Sequence, residues 1–136
     1  MIPLKDENPT NTKPIVSYCI IGFCAVIFLA QLGLSESELR DFTYSYGLIP
    51  SVLMGIDQLP NDLFKISPVG TIFTSMFMHG GWMHLIGNML YVWIFADNIE
   101  DDLGTLNFVI FYLICGIGAA MSQVLMDINS QIPMIG

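Results

Sequence analysis

Charged residues fall in blocks along this chain and leave three uncharged runs between them. The runs cover residues 14–35, 66–96 and 103–126, or 22, 31 and 24 positions. A helix needs about 20 predominantly apolar residues to cross a bilayer. The pattern therefore predicts an all-α membrane protein with spans over about 15–34, 80–99 and 105–126. The first span carries no charge, and Gly22 within it suits close helix packing. The second run is too long for one simple span. Pro68, Gly70 and the Gly80-Gly81 pair interrupt its first half, so a helix is expected from about Trp82, with Trp93 and Phe95 toward its far end. Asp97, Glu100, Asp101 and Asp102 mark the exit from the bilayer. Leu103-Gly104 reads as a helix stop, and Thr105 as the cap of a third helix ending near Met126. Gly116/Ala120 and Gly118/Ser122 in that helix are small-xxx-small pairs, which let helices approach closely in lipid.

Between these runs lie segments of different character. Residues 1–14 are polar and hold three of the seven prolines, which reads as a short disordered N-terminal tail. Residues 35–79 form a long interfacial loop that is too apolar to be simply solvated. Its FTYSYGLIPSVLMG stretch sets Phe42, Tyr44 and Tyr46 beside an apolar run broken by Gly47 and Pro50. Tyrosines concentrate at membrane–water boundaries, where the ring and the hydroxyl both find partners. The same loop could equally pack on the protein's own helices. A signal peptide is a poorer reading of the first run. The apolar part exceeds the usual ~7–15 residues and no small-residue cleavage site follows.

Composition agrees with a lipid environment: 54% of residues are hydrophobic and only 12% are charged. The net charge of −8 excludes a nucleic-acid partner, which would need clustered Lys and Arg. Lys5 and Lys13 lie beside the first span, whereas Arg40 and Lys65 lie in the long loop. The positive-inside rule then places the N-terminus and the acidic exit in the cytoplasm. Cys19, Cys24 and Cys115 all fall inside spans, are odd in number and form no CxxC pair, so they read as packing residues.

HGGWMHLIGNMLYVW, residues 79–93, is apolar enough for a bilayer yet contains His79, His84 and Asn88. Polar side chains at that depth are costly unless they are paired or line a wet cavity. On a helix His84 and Asn88 lie about 40° apart, one turn from each other on one face. His79 and His84 would be about 140° apart, with two glycines breaking the helix between them. HExxH is absent and no carboxylate is near, so no metal site is indicated. His84 and Asn88 could stabilise a developing oxyanion, or could serve as hydrogen-bonding glue between helices.

TSMFMHGGWMHLIGNMLYVWIFADNIEDDLG resembles the second-span signature of the rhomboid family of intramembrane serine proteases, with its HGGWxHLxGN core and FxDNxEDxLG exit. YGLIPSVLMG is similar to the loop segment of bacterial and archaeal members, so a prokaryotic cell membrane is the expected location. The resemblance implies a six-helix bundle of which this chain supplies three transmembrane helices, residues 15–136 forming a truncated rhomboid domain. It implies that His84 and Asn88 help to bind the oxyanion of the tetrahedral intermediate, with His79 as an accessory residue near the rim. Hydrolysis in this family needs no metal and no organic cofactor. The partners implied are transmembrane protein substrates and the lipid bilayer.

The family nucleophile lies in a GxSG motif on the fourth span, and IPMIG is similar to the stretch that precedes it. Gly136 would be the first glycine, so neither the serine nor the basic histidine of the sixth span is expected within these 136 residues. Ser122 and Ser130 lack the GxSG context and are not substitutes. Two functions remain open. The chain is the N-terminal part of a protease that cuts in or near transmembrane helices, inactive by itself. Alternatively it is a non-proteolytic rhomboid-like protein that binds transmembrane clients.

Overall fold

A computed structural model describes residues 12–136; the polar tail expected over 1–14 lies mostly outside the described residues. Among the described residues the fold is helical, with no strand and one isolated antiparallel bridge between Leu48 and Met134. The helices are α1 (Ile15–Leu32), α2 (Glu36–Tyr46), α3 (Pro50–Leu53), α4 (Pro68–Ser75), α5 (Trp82–Tyr91), α6 (Asp97–Leu103) and α7 (Thr105–Met126). A π-helical turn, Val92–Ala96, joins α5 to α6. Two of the helices, α1 and α7, are long and apolar enough to cross a membrane.

The segment expected to cross between them differs in detail. It is helical from Trp82 through Leu103, so the acidic residues 97–102 belong to the helix and not to a connecting loop. Gly104, at φ 76°, ends that helix and begins α7 in one step. Thr105 is consequently the first helical residue, not the cap. A left-handed backbone at Gly104 leaves no intervening residue whose side chain could reach the α7 amides.

The long loop also proves more regular than its sequence suggested, because its proline and serine signals start helices as well as stop them. Ser35 forms a capping box with Glu38, its hydroxyl taking the Glu38 N–H while the Glu38 carboxylate takes the Ser35 N–H. Hydrogen bonds from Ser35 hold the Glu38 carboxyl below the usual glutamate range. Pro50 and Pro68 each occupy the first turn of a helix, where the missing N–H would have had no partner. The Ser67 hydroxyl accepts from Gly70 N–H at 3.1 Å and caps α4.

Packing follows the helical period. Ile20, Cys24 and Phe28, four residues apart, form the buried stripe of α1 and meet Leu85, Ala96 and Phe108. Phe28 and Trp82 touch edge to face at 4.9 Å. A second cluster joins Leu48 of the loop, Ile72 of α4 and Val124 of α7. The opposite faces of α1 and α7 expose Val26, Leu29, Leu106 and Ile114, as a lipid-facing surface would.

One polar contact ties the ends together. Glu100 of α6 is 1% exposed and lies at the N-terminus of α1, where Pro14 offers no side-chain cap. Its carboxylate accepts from Val16 N–H at 3.0 Å, Ser17 N–H at 2.9 Å and the Ser17 hydroxyl at 2.8 Å. Thr12 N–H donates to Asp101 beside it at 2.7 Å. The start of α1 and the acidic residues therefore share one side of the molecule.

Candidate active site

Gly81 opens α5 with extended backbone and no side-chain cap, so His84 falls within the first turn. His84 and Asn88 face a common open cavity of about 730 Å³, bounded also by Ser75, His79 and, on α7, Gly116 and Ala120. The spacing of four residues thus achieves what the sequence implied: both side chains reach one space. Gly116 makes room there; a Cβ on it would collide with the Met76 side chain.

The orientation of His84 is set locally. Its Nδ1 accepts from the Gly80 backbone N–H at 3.5 Å. Gly136, in the left-handed region at φ 84°, lies against the Cε1–Nε2 edge of the ring. Any Cβ there would strike His84 Cε1 and Nε2 and close on Met78 O. The Gly136 N–H donates to Ser75 O at 2.9 Å.

His79 is brought to the same place by a route the helical angle did not anticipate. The break at Gly80-Gly81 folds its ring back onto His84, with centroids 5.1 Å apart at 64°. It is 2% exposed, not at the rim, and its Nδ1 has no hydrogen-bond partner. Burial, and then the neighbouring His84, hold its pKa below the ordinary histidine value. Among the described residues no group of three or more His, Cys, Asp or Glu side chains could hold a metal ion.

The serines are distributed unevenly. Ser122 donates to Gly118 O within α7 at 2.7 Å, and the Ser130 hydroxyl accepts from Ile132 N–H at 3.3 Å. Neither borders the cavity. Ser75 does, and sequence reading passed over it; its hydroxyl donates to Ile72 O of its own helix at 3.2 Å. No spacing rule pointed to Ser75, because the loop expected over 35–79 hid the α4 helix that presents it. Cys115 borders the cavity as well and is a free thiol.

The C-terminal segment is pinned to the loop by backbone pairing. Leu48 N–H donates to Met134 O at 3.0 Å and Met134 N–H to Leu48 O at 2.8 Å. Gly47 is required at this crossing, since a Cβ would meet Thr43 O at 2.6 Å and Pro133 Cβ at 3.0 Å. These contacts carry residues 132–136 to the His84 face of the cavity.

The family model for the rhomboid domain matches residues 67–136, which include every residue of the cavity wall named above. Rhomboid-like protein 11, chloroplastic, of Arabidopsis thaliana is 35% identical over 46 residues. That alignment covers 34% of this chain and 16% of the plant protein. No solved structure matches.

Proposed function

The chain belongs to the rhomboid family, and from that premise we propose that it is the N-terminal part of an intramembrane serine protease. Its substrates are transmembrane proteins, cut in or near their membrane helices. In this reading the helix through residues 82–103 is a third span beside α1 and α7. The N-terminus lies in the cytoplasm of a prokaryotic cell, with the Glu100 end of the bundle on the same side.

One observation carries the mechanism: His84 and Asn88 open onto the same cavity, with Gly136 against the His84 ring. Family resemblance makes Gly136 the first glycine of the nucleophile motif, with the serine two residues further on. That serine oxygen would attack the scissile carbonyl carbon and pass its proton to the basic histidine of a later span. The carbonyl oxygen becomes an oxyanion as its π bond opens. His84 and the Asn88 amide are the donors this geometry offers to it. Such donors act most strongly where water is scarce, and losing one costs up to about 4 kcal/mol in the transition state, less where the other donor and a backbone N–H share the load. His79 supports the His84 ring edge to face and contributes no charge at neutral pH.

The test is turnover of the protein encoded by the whole reading frame, reconstituted with a transmembrane substrate. Asn88→Ala lowers kcat by about 10–1000-fold with little change in KM, because the contact matters chiefly in the transition state. The melting temperature of the same preparation stays near that of the parent. Activity lost only in step with unfolding would reassign Asn88 to helix–helix bonding. Full-length protein that binds a transmembrane client yet never cleaves it would establish the non-proteolytic reading instead.

A further inference from the structure

Toward the C-terminal end of α7, Gly116, Ala119, Ala120 and Gln123 line the histidine cavity at helical spacing, so one stripe of the helix faces that space. Three of the four are small and bring no polar side chain. Gln123 brings a carboxamide. It is exposed, and its amide makes no hydrogen bond among the described residues.

The turn at Gly104 fixes its height. His84 lies twenty residues before that glycine and Gln123 nineteen after it, on two helical arms that meet there. At about 1.5 Å of rise per residue the two side chains are level to within about one helical turn. Asn88 stands one turn nearer the Gly104 end. The cavity therefore has its oxyanion donors on the α5 wall and a free amide facing the same space from the α7 wall.

Hydrolysis as proposed above needs a substrate segment that has left its helix at the scissile bond, because a helical carbonyl is already bonded to an N–H of its own chain. The backbone groups so freed need partners where water is scarce. His84 and Asn88 meet the scissile carbonyl oxygen. Successive residues of an extended chain turn their N–H and C=O to opposite sides, so the residue next to the scissile one directs both groups toward α7. An N–H and a C=O together are matched by a carboxamide, which holds an acceptor oxygen and a donor NH2. The Ser75 hydroxyl is less suited, since its proton is given to Ile72 O.

We infer that Gln123 is a substrate-binding residue, its Oε1 accepting from the N–H and its Nε2 donating to the C=O of the residue adjoining the scissile bond. The contact reads main chain and not side chains. It rests on the proteolytic reading for its register. It forms before the chemical step and persists through it, so it acts on KM and not on kcat.

The protein encoded by the whole reading frame, reconstituted with a synthetic transmembrane substrate, tests it. Gln123→Ala, and Gln123→Leu which keeps the bulk, raise KM about fivefold, as expected for the loss of a neutral hydrogen-bonded pair, and leave kcat within about twofold. The melting temperature stays that of the parent, since the side chain is exposed and bonded to nothing in the free protein. Substrates with a backbone ester in place of one amide near the scissile bond give the sharper check, because the ester lacks the N–H that Oε1 accepts. At one position the ester weakens binding to the parent about fivefold and to Gln123→Leu not at all. Unchanged KM in both variants, a loss in kcat instead, a fall in melting temperature that accounts for the lost activity, or ester effects that simply add to that of Gln123→Leu at every position would each overturn the assignment. Affinity for an uncleaved transmembrane peptide, read by fluorescence anisotropy, keeps the two readings apart. If the full-length protein cleaves nothing yet loses affinity about fivefold in Gln123→Leu, the protease reading fails and Gln123 remains a contact to client backbone. If it cleaves normally and Gln123→Leu alters neither KM nor affinity, the role of Gln123 alone falls.

Discussion

Glu100→Ala is the substitution whose consequence follows most directly from the structure. The carboxylate supplies acceptors to the first turn of α1, a turn that has no cap of its own. Removing it strands two backbone N–H groups and the Ser17 hydroxyl, and Ser17 is 2% exposed. A hydrogen bond to a charged group is worth about 1.5–3 kcal/mol. Three bonds would suggest more than 5 kcal/mol, but two share one oxygen and water can enter the space left behind. The buried carboxylate's own desolvation cost disappears as well. A net loss of about 3 kcal/mol results, which for a chain of this size corresponds to roughly 10 °C in Tm. Glu100→Gln keeps the shape and one acceptor but turns an NH2 toward a donor, so it loses about half as much. Circular dichroism melts of the 136-residue chain in one detergent give the values. A double-mutant cycle with Ser17→Ala isolates the pair, because Ser17→Ala costs about 1 kcal/mol alone and little once Glu100 is gone. A Tm for Glu100→Ala within 2 °C or so of the parent, or strict additivity in the cycle, would refute the cap.

Gly104→Ala forces a Cβ into the left-handed region at φ 76° in open space, so the cost is backbone strain alone, about 1–2 kcal/mol. Gly104→Asn loses about as much, because at ψ 154° the backbone lies outside the left-handed helical well that asparagine tolerates; a melt of Gly104→Ala unchanged from the parent would remove the strain argument. His79 is held neutral by burial, its pKa lying below that of the unfolded chain. The unfolded state therefore takes up the proton first as pH falls below about 6.5, and stability drops until the folded-state value is passed. His79→Gln should flatten that part of the Tm–pH curve, and an unchanged slope would assign it elsewhere. For topology, Ser37→Cys and Thr105→Cys in a background without the three native cysteines should label from opposite sides of the membrane, Ser37 from outside. Equal labelling of both from outside would sink the proposed topology.

Long uncharged runs needed no tertiary information to be read as helices, because in lipid every backbone polar group must be satisfied within the segment itself. That is why α1 and α7 were legible from composition alone. The pairing of His84 with Asn88 was legible too, since two residues four apart share a face on any helix. Family membership was legible in the spacing of HGGWxHLxGN. The loop was not: Pro50 and Pro68 break or begin a helix according to whether the N–H they lack was needed, and only the fold decides that. His79 needed the reversal at Gly80-Gly81 to reach His84, Ser75 needed α4 to form, and Gly136 needed the Leu48–Met134 pairing to arrive. Glu100 looked like one acid among several at a membrane exit. Only the packing of α6 against α1 makes it a cap, because a contact between residues 83 positions apart leaves no local trace in the chain.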